Sequence, residues 1–467
     1  MVVKLLSNIK NKFRRVTNQL SFKRKSKEQH KQFHQEKDLS SNDKSNRKPL
    51  WFLSWFKISP KFIFSLLIIG IVGLFLYQVV LLVEALVGFQ TKPYTGYSQI
   101  PVVREQVKYE WQGDTKITIV IVGTDKVDVD HVFVDALGIY NVDPVEKKLS
   151  VFMINPDLRV YVSAVGREVN FRTVFTDPNL SGDRAVILKN AVAALLAIRV
   201  DRYIVVDKAD FAKYTTAMNP VKVNVKQDIS DPDTLVLSGS KIAEWKKGEQ
   251  SIRGDSFLEF LASDINGRND QLERQQSFFA SLPFEQISLG TVLNLPQLIN
   301  KFSDYFYTDL SKNELFTLIP KALDIKEDNL KRGYTHAASY QKVNTTSFYT
   351  IYIPILERID QDINNIFFDL KIFKEQARIE VLNSSNVKGL ANSRARWIAN
   401  LGARIIKVGN GLGGLEKTKI YCAEPDKYIY TINELNRVFN FKAELIKQEY
   451  PNRHMGDIII ELGNTYE

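Results

Sequence analysis

Between Phe62 and Val83 the chain runs through twenty-two residues without one charge, FIFSLLIIGIVGLFLYQVVLLV. At the α-helical rise of 1.5 Å per residue, such a run reaches across a hydrocarbon core of about 30 Å. Sixteen Lys and Arg precede it, up to and including Lys61, against four acids, Glu28, Glu36, Asp38 and Asp43. Cytoplasmic flanks carry the Lys and Arg excess, so the pattern predicts a single-pass plasma-membrane protein with its N-terminus in the cytoplasm. Residues 1–60 read as a basic cytoplasmic tail and 61–89 as the transmembrane helix. The apolar run is too long, and too far from the N-terminus, for a cleaved secretory signal, so an uncleaved signal anchor is expected. Everything beyond about residue 90 is then extracytoplasmic.

The tail also accounts for the formal charge of +10, because 47 basic and 49 acidic residues remain beyond Lys61. Val2, Val3, Leu5, Leu6, Ile9, Phe13, Val16 and Leu20 recur at helical spacing among Lys4, Lys10, Lys12, Arg14 and Arg15. Two readings fit: a helix on the anionic inner leaflet, or a solvated arm that only fixes topology. Residues 21–50 are rich in Lys, Ser, Asn and Gln and cannot bury enough apolar surface to order themselves. No helix-turn-helix or zinc pattern accompanies this basic stretch, so the expected partner is the lipid bilayer and not nucleic acid.

About 375 residues follow the anchor, enough for two sizeable cores. They hold one cysteine, Cys422, which excludes an intrachain disulfide, and three scattered histidines, His131, His336 and His454, which give no local zinc motif. Pro93, Gly96 and Pro101 make 90–115 a spacer. Strands are predicted over 116–123, 132–142 and 148–154, the last two joined by a hairpin turn at Asp143-Pro144. A buried helix over 184–198, a strand over 202–206 and a strand over 221–225 that ends this sheet come next, then a polar excursion over 226–254. Helices follow at 255–265, 270–282, 294–310 and 312–323, the last opened by a Ser311/Glu314 capping box. Strands interleaved with helices predict a large layered α/β domain over 116–373. A second, small α/β domain is expected over 377–467: strands at 378–382, 404–408, 418–422, 442–446 and 457–462, a helix at 390–401 stopped by Gly402, and a helix opened by a Thr431/Glu434 capping box. Gly409, Gly411 and Gly414 spell G-x-G-x-x-G after a strand, but LEKTKIYC follows as a second strand where a dinucleotide fingerprint needs a helix. A loop is expected there, and Cys422 reads as a small buried strand residue.

The stretch IEVLNSSNVKGLANSRARWIANLGARIIKVGN, with TKIYCAEP and the closing DIIIELGNTYE, resembles the C-terminal accessory domain of LytR-CpsA-Psr (LCP) proteins over 377–467. The preceding domain is similar to the catalytic domain of that family. VDALGIYNVDPVEKKLSVF and MINPDL stand where the family has a Ser-Asp-Thr strand and a Ser-Ile-Pro-Arg-Asp-Thr segment, which keeps the acids Asp135 and Asp157 but puts Pro156 at the arginine. VDRYIVVDKADF matches an Asp-x-Tyr strand and its following Asp-Phe. FLEFLASD places Ala262 and Asp264 where two arginines belong, and QLERQQ keeps Arg274, Gln275 and Gln276 while Gln271 replaces another.

The resemblance implies transfer of a glycan-1-phosphate from a polyprenyl-pyrophosphate carrier to a cell-wall acceptor hydroxyl, with polyprenyl-linked glycan and cell-wall polymer as partners. It implies Asp135 and Asp157 as catalytic residues and ligands of Mg²⁺, and Arg274 and Gln275 on phosphate. Arg159, Arg253 and Arg268 lie near the lost arginine positions and are candidates to replace them; Arg159 shares a face with Asp157 if one strand carries both. Each site has a plainer alternative. An Asp in a strand ahead of Ala-Leu-Gly can satisfy a buried amide, and Arg274 can pair with Glu273 or Asp270 on a helix surface. The missing arginines leave a second function open, a catalytically degenerate relative that binds carrier lipid or cell-wall glycan as a scaffold. A third function, transcription regulation, is suggested by the family's historical name, but the expected topology puts most of the chain where DNA is not.

Overall fold

The computed structural model describes residues 74, 76–94, 110–126, 131–162, 166–216, 218, 220–235, 242–253, 255–285, 289–344, 350–439 and 443–465. The tail and residues 62–73 of the apolar run lie outside these. The chain divides between Val79 and Val80, and among the described residues the sheets and their cores lie in Val80–Glu467. Residues 76–88 are helical, and among the described residues no helix is long and apolar enough to cross a membrane.

Strands β1 (Ile117–Lys126), β2 (Val132–Asp143) and β3 (Lys148–Met153) form an antiparallel meander. The β2–β3 turn is set by the Asp143 carboxylate, which accepts the N–H groups of Val145 and Glu146. The hairpin β4 (Arg159–Val162) and β5 (Arg167–Asn170) leads to helix α1 (Arg184–Leu196), whose N-cap Asp183 accepts from the N–H groups of Ala185 and Val186. Strand β6 (Arg202–Asp207) lies parallel to β1 and passes into helix α2 (Lys208–Thr215).

Strand β7 (Val221–Val225) is not the end of this sheet, contrary to expectation. It pairs with β10 (Gly248–Ile252) in a separate ribbon, and β8 (Ile229–Leu235) with β9 (Ile242–Trp245) in another, so the polar excursion is built of hairpins. Their apolar sides, including Val221, Val225, Trp245 and Ile252, pack with Phe257, Phe260 and Phe278 of the helices α3 (Asp255–Ala262) and α4 (Arg268–Glu285).

After α5 (Leu289–Tyr305) the chain forms the short edge strand β11 (Phe306–Thr308) and then α6 (Lys312–Leu323), which starts with the expected reciprocal Ser311/Glu314 capping box. Strand β12 (Leu330–Tyr334) pairs parallel to β3, completing a six-stranded sheet in the order β11-β6-β1-β2-β3-β12. The hairpin β13 (Tyr340–Asn344) and β14 (Thr350–Pro354) and the helices α7 (Leu356–Phe367) and α8 (Leu370–Glu375) follow. Alternate residues of β1 enter two cores: Val120 and Val122 pack with Leu188, Leu195, Ile359 and Ile363 of α1 and α7, whereas Ile117 and Ile119 pack with Ala280 and Leu315 of α4 and α6. Helices cover both faces.

The remainder carries β15 (Arg378–Asn383), α9 (Leu390–Asn400), β16 (Arg404–Asn410), β17 (Lys419–Tyr421), α10 (Ile429–Val438), β18 (Glu444–Ile446) and β19 (Ile458–Leu462). Its five strands run in the order β16-β15-β19-β17-β18 over a core of its own. The Gly-rich loop leads into β17, a strand, with no helix there to receive a pyrophosphate. Helix α10 departs from expectation. Thr431 lies inside it, and the cap comes from Glu375 at the end of α8, whose carboxylate accepts the N–H groups of Tyr430 and Thr431.

Parts of the expected spacer are also packed. Thr308 donates its N–H to the carbonyl of Lys92, and Trp111 is buried with its N–H on the Glu314 carboxylate; Phe89, the last residue of the expected transmembrane helix, is buried against Phe302 and Phe316.

Candidate active site

Two acids meet at one end of the six-stranded sheet. In the β1–β2 ladder Gly123 pairs with Ala136 and Thr124 with Val134, so Asp135 is the extra, unpaired residue of a β-bulge. Bulges re-aim side chains in this way, and alternation along the strand alone would not predict the direction taken by Asp135. Its backbone is held from behind by Gln275 on α4, whose side-chain amide donates to the carbonyls of Leu261, at 3.1 Å, and Asp135, at 3.4 Å.

Asp157 comes from the turn after β3. The buried Asn155 accepts the N–H of Asp157 on its side-chain oxygen at 3.0 Å, an Asx turn continued by Pro156. Strand β4 begins only at Arg159. The expected sharing of a strand face by Asp157 and Arg159 therefore fails, and Arg159 faces Glu168 at 3.8 Å.

The guanidinium that joins the acids belongs to Arg172, which no motif in the chain singles out. Its Nη2 lies 3.5 Å from Asp135 Oδ1 and its Nη1 3.4 Å from Asp157 Oδ1. The only sequence signal is local: Asn170 is placed for an Asx turn, and its side-chain oxygen accepts the N–H of Arg172 at 2.9 Å. The carbonyl of Arg172 accepts the N–H of Val134 at 2.8 Å, fastening the loop beside the bulge. The guanidinium lies 5.9 Å from the centre of the Phe133 ring.

Arg268 opens α4, after Gly267 with φ +93°, and donates to Asp157 Oδ2 at 2.9 Å while also donating to the side-chain oxygen of Gln271. Gln271, which stands at a family arginine position, thus orients a neighbouring arginine. Arg253 is exposed just past β10. Arg274 is directed elsewhere. It is 9% exposed, donates to the carbonyls of Phe260 and Ser263, pairs with Asp270 and lies over the Phe260 ring. Burial lowers its pKa to about 10, partly opposed by Asp231 and Asp264. The structure gathers Asp135, Asp157 and Arg268 of the predicted set, adds Arg172, places Gln275 behind the bulge, and leaves Arg159 and Arg274 with other partners.

Burial raises the pKa of Asp135; Arg172, Lys208 and Arg268 pull it down, and Asp125 pushes it up. Lys208, at the start of α2, is 3.4 Å from Asp125. Around the two acids, then, stand cations whose charge suits phosphate. The carboxylates are hard oxygen donors that already share one cation, which is the donor chemistry Mg²⁺ requires. Among the described residues no group of three or more His, Cys, Asp or Glu side chains is arranged to hold a metal ion. A divalent cation here would complete its shell with water and ligand oxygens.

Three relatives put this geometry in context. The profile of the LytR_cpsA_psr family matches residues 91–365. Regulatory protein MsrR of Staphylococcus aureus (strain COL) is 24% identical over 242 residues, covering 50% of this chain and 69% of its own length. Cell wall biosynthesis protein LcpA of Corynebacterium glutamicum is 27% identical over 263 residues, 51% of this chain and 49% of LcpA. Polyisoprenyl-teichoic acid--peptidoglycan teichoic acid transferase TagU of Enterococcus faecalis is 24% identical over 262 residues, 53% of this chain and 78% of TagU.

Proposed function

The chain belongs to the LytR_cpsA_psr family, and from that premise we propose that it transfers a glycan-1-phosphate from a polyprenyl-pyrophosphate carrier to an acceptor hydroxyl of the cell wall. It does so, on this reading, from the outer side of the plasma membrane, anchored by the apolar run at 62–83, with residues 377–467 as a LytR C-terminal domain. The relatives named for cell wall biosynthesis and teichoic acid transfer support the general class. The observation that carries the reading is the convergence of Asp135 and Asp157 on one guanidinium, with Arg268 on the second oxygen of Asp157.

In the reaction the acceptor oxygen forms a bond to the phosphorus that bears the glycan. The bond from that phosphorus to the bridging oxygen breaks, and polyprenyl phosphate leaves. The hydroxyl proton passes to a carboxylate oxygen of Asp135 or Asp157 that is not committed to the cation. Asp157, held by Arg268, is the more firmly oriented acid. Asp135 and Asp157 would together hold Mg²⁺, which supplies charge neutralisation of the pyrophosphate as a Lewis acid. Arg172 and Arg268 offer planar forks that match phosphate oxygens.

The test is turnover of a polyprenyl-pyrophosphate-linked glycan by the full chain in detergent. Asp135→Ala is expected to lower the rate by about a hundredfold or more. Wild-type protein that binds the substrate without turning it over would instead favour the scaffold reading, to which the buried Arg274 and Pro156 lend weight.

A further inference from the structure

Residues 84–94, which follow the apolar run, are laid along the folded unit and fixed to it repeatedly. Ala85 and Phe89, four residues apart, are both 3% exposed. The helix that ends at Gly88 leaves its last carbonyls without partners of its own. Lys312, at the start of α6, donates to two of them, Leu86 at 2.6 Å and Val87 at 3.5 Å, and a cation there also answers the helix dipole. Gln90 and Ser303 of α5 exchange two hydrogen bonds, at 3.1 and 2.8 Å. Lys92 donates to the carbonyl of Asp304 and lies 4.8 Å from the centre of the Tyr307 ring, and its own carbonyl takes the N–H of Thr308 on β11. Tyr94 gives its N–H to the Tyr203 hydroxyl at 3.2 Å and sets its ring against Phe175 and Tyr307. Flexible segments have few buried contacts and a solvated backbone. This one has partners for its rings and its backbone alike.

The segment reaches the edge of the sheet that carries the acids, and at the same end. Phe306 of β11 pairs with Val206, beside Asp207, and Asp207 pairs with Thr124 at the bulge that releases Asp135. From β11 to β2 is three strand spacings, about 15 Å. Rings bridge part of the way: Phe302 lies 6.1 Å from Phe89 and 4.5 Å from Phe306, and Phe306 meets Phe211 and Tyr214 of α2, the helix opened by Lys208. In the other direction, Phe89 is only about 9 Å beyond Val83, the end of the apolar run, at the helical rise.

We propose that residues 84–94 are a rigid strap, not a tether, and that they hold the site at the headgroup level of the membrane in which the chain is anchored. The partner surface is the outer face of that bilayer, against which the corner of α5, β11 and the start of α6 rests. A carrier lipid in the same bilayer presents its pyrophosphate at this level, so the strap brings the site to it and denies the site a carrier held in another membrane. The proposal rests on the reading that 62–83 spans the membrane, and it is independent of the chemistry at the acids.

Cys422 is the chain's one cysteine and is buried, so Ala209→Cys, on the exposed start of α2, gives a single accessible thiol for a fluorophore. The full chain is placed in phosphatidylcholine vesicles that carry an acceptor dye on a lipid headgroup. Time-resolved anisotropy then reports tumbling, and energy transfer reports height above the bilayer. The labelled chain is expected to keep its anisotropy over the fluorescence lifetime and to transfer efficiently. About twelve Gly and Ser residues inserted between Val83 and Glu84 leave every contact above in place and add about 20 Å of reach, so anisotropy should decay and transfer fall about twofold. Phe89→Ser with Lys312→Ala unfastens the strap itself and should do the same; the insertion carries the test if that variant does not fold. If the chain without the insertion tumbles as freely as the inserted one, yet resists extraction by alkaline carbonate, residues 84–94 are a tether and the proposal falls while the anchor stands. If carbonate extracts the chain, the anchor reading fails and the strap's role at a membrane fails with it.

Discussion

At the scale of single residues, two arginines have roles opposite to those their sequence neighbourhoods suggest. Arg274 sits in a family-like motif but serves the carbonyls that end α3, and it is buried beside Asp270. Replacing it with Met, of similar length, removes the charge and leaves those groups unpaired, so urea denaturation should register a loss of about 2–4 kcal/mol. Pyrophosphate affinity of the folded variant should change by less than about twofold, well short of the loss expected for a charge-assisted contact. A tenfold loss of affinity with unchanged stability would return Arg274 to the phosphate. Asp135 and Asp157 are readable because each stands inside a recognisable segment. Arg172 is not, because its partners are brought to it by a bulge and a turn, and neither feature has a spacing that marks it in the chain.

Among the elements, two helix starts show what sequence can and cannot carry. Ser311 and Glu314 are three residues apart, both halves of their capping box lie in one segment, and α6 begins where that box predicts. Thr431 and Glu434 have the same spacing, yet α10 has already begun at Ile429 and takes its cap from Glu375 at the end of α8. A cap supplied from so far back in the chain has no local signature. Glu375→Ala should therefore destabilise the protein by about 1 kcal/mol through lost N–H acceptors and lost negative charge at a helix N-terminus. Thr431→Ala should have a much smaller effect on the denaturation midpoint, and equal losses would contradict the assignment. The strand β7 illustrates a similar limit: its alternation marks it as a strand, but the choice of β10 as partner depends on a turn and a hydrophobic face outside it.

At the scale of the whole molecule, charged groups fasten the C-terminal sheet and its helices to the rest of the Val80–Glu467 unit. Asp201, in the turn before β6, accepts from Arg199 and from Arg437 of α10, and Arg199 also donates to the carbonyl of Arg437. Arg396 of α9 grips Asp360 of α7 with two nitrogens and caps the carbonyls of Ala194 and Leu195 at the end of α1. Burial alone would raise the pKa of Asp201, but Arg437 and Arg199 outweigh it and hold it below the ordinary carboxylate value. A depressed folded-state pKa gives stability that is complete above the unfolded value, about 3.9, and is lost as pH falls through the folded value. Arg437→Ala leaves Asp201 buried with less compensation, and at pH 7 it should lower stability by about 3 kcal/mol. That deficit should shrink below about pH 4, where protonation of Asp201 removes the charge that Arg437 answers. With Arg396→Ala added, the C-terminal sheet and the six-stranded part no longer share their firmest ties, and a calorimetric scan should resolve unfolding, expected as one transition in the wild type, into two. One undivided transition in the double variant would mean that apolar packing, and not these ion pairs, makes the unit cooperative.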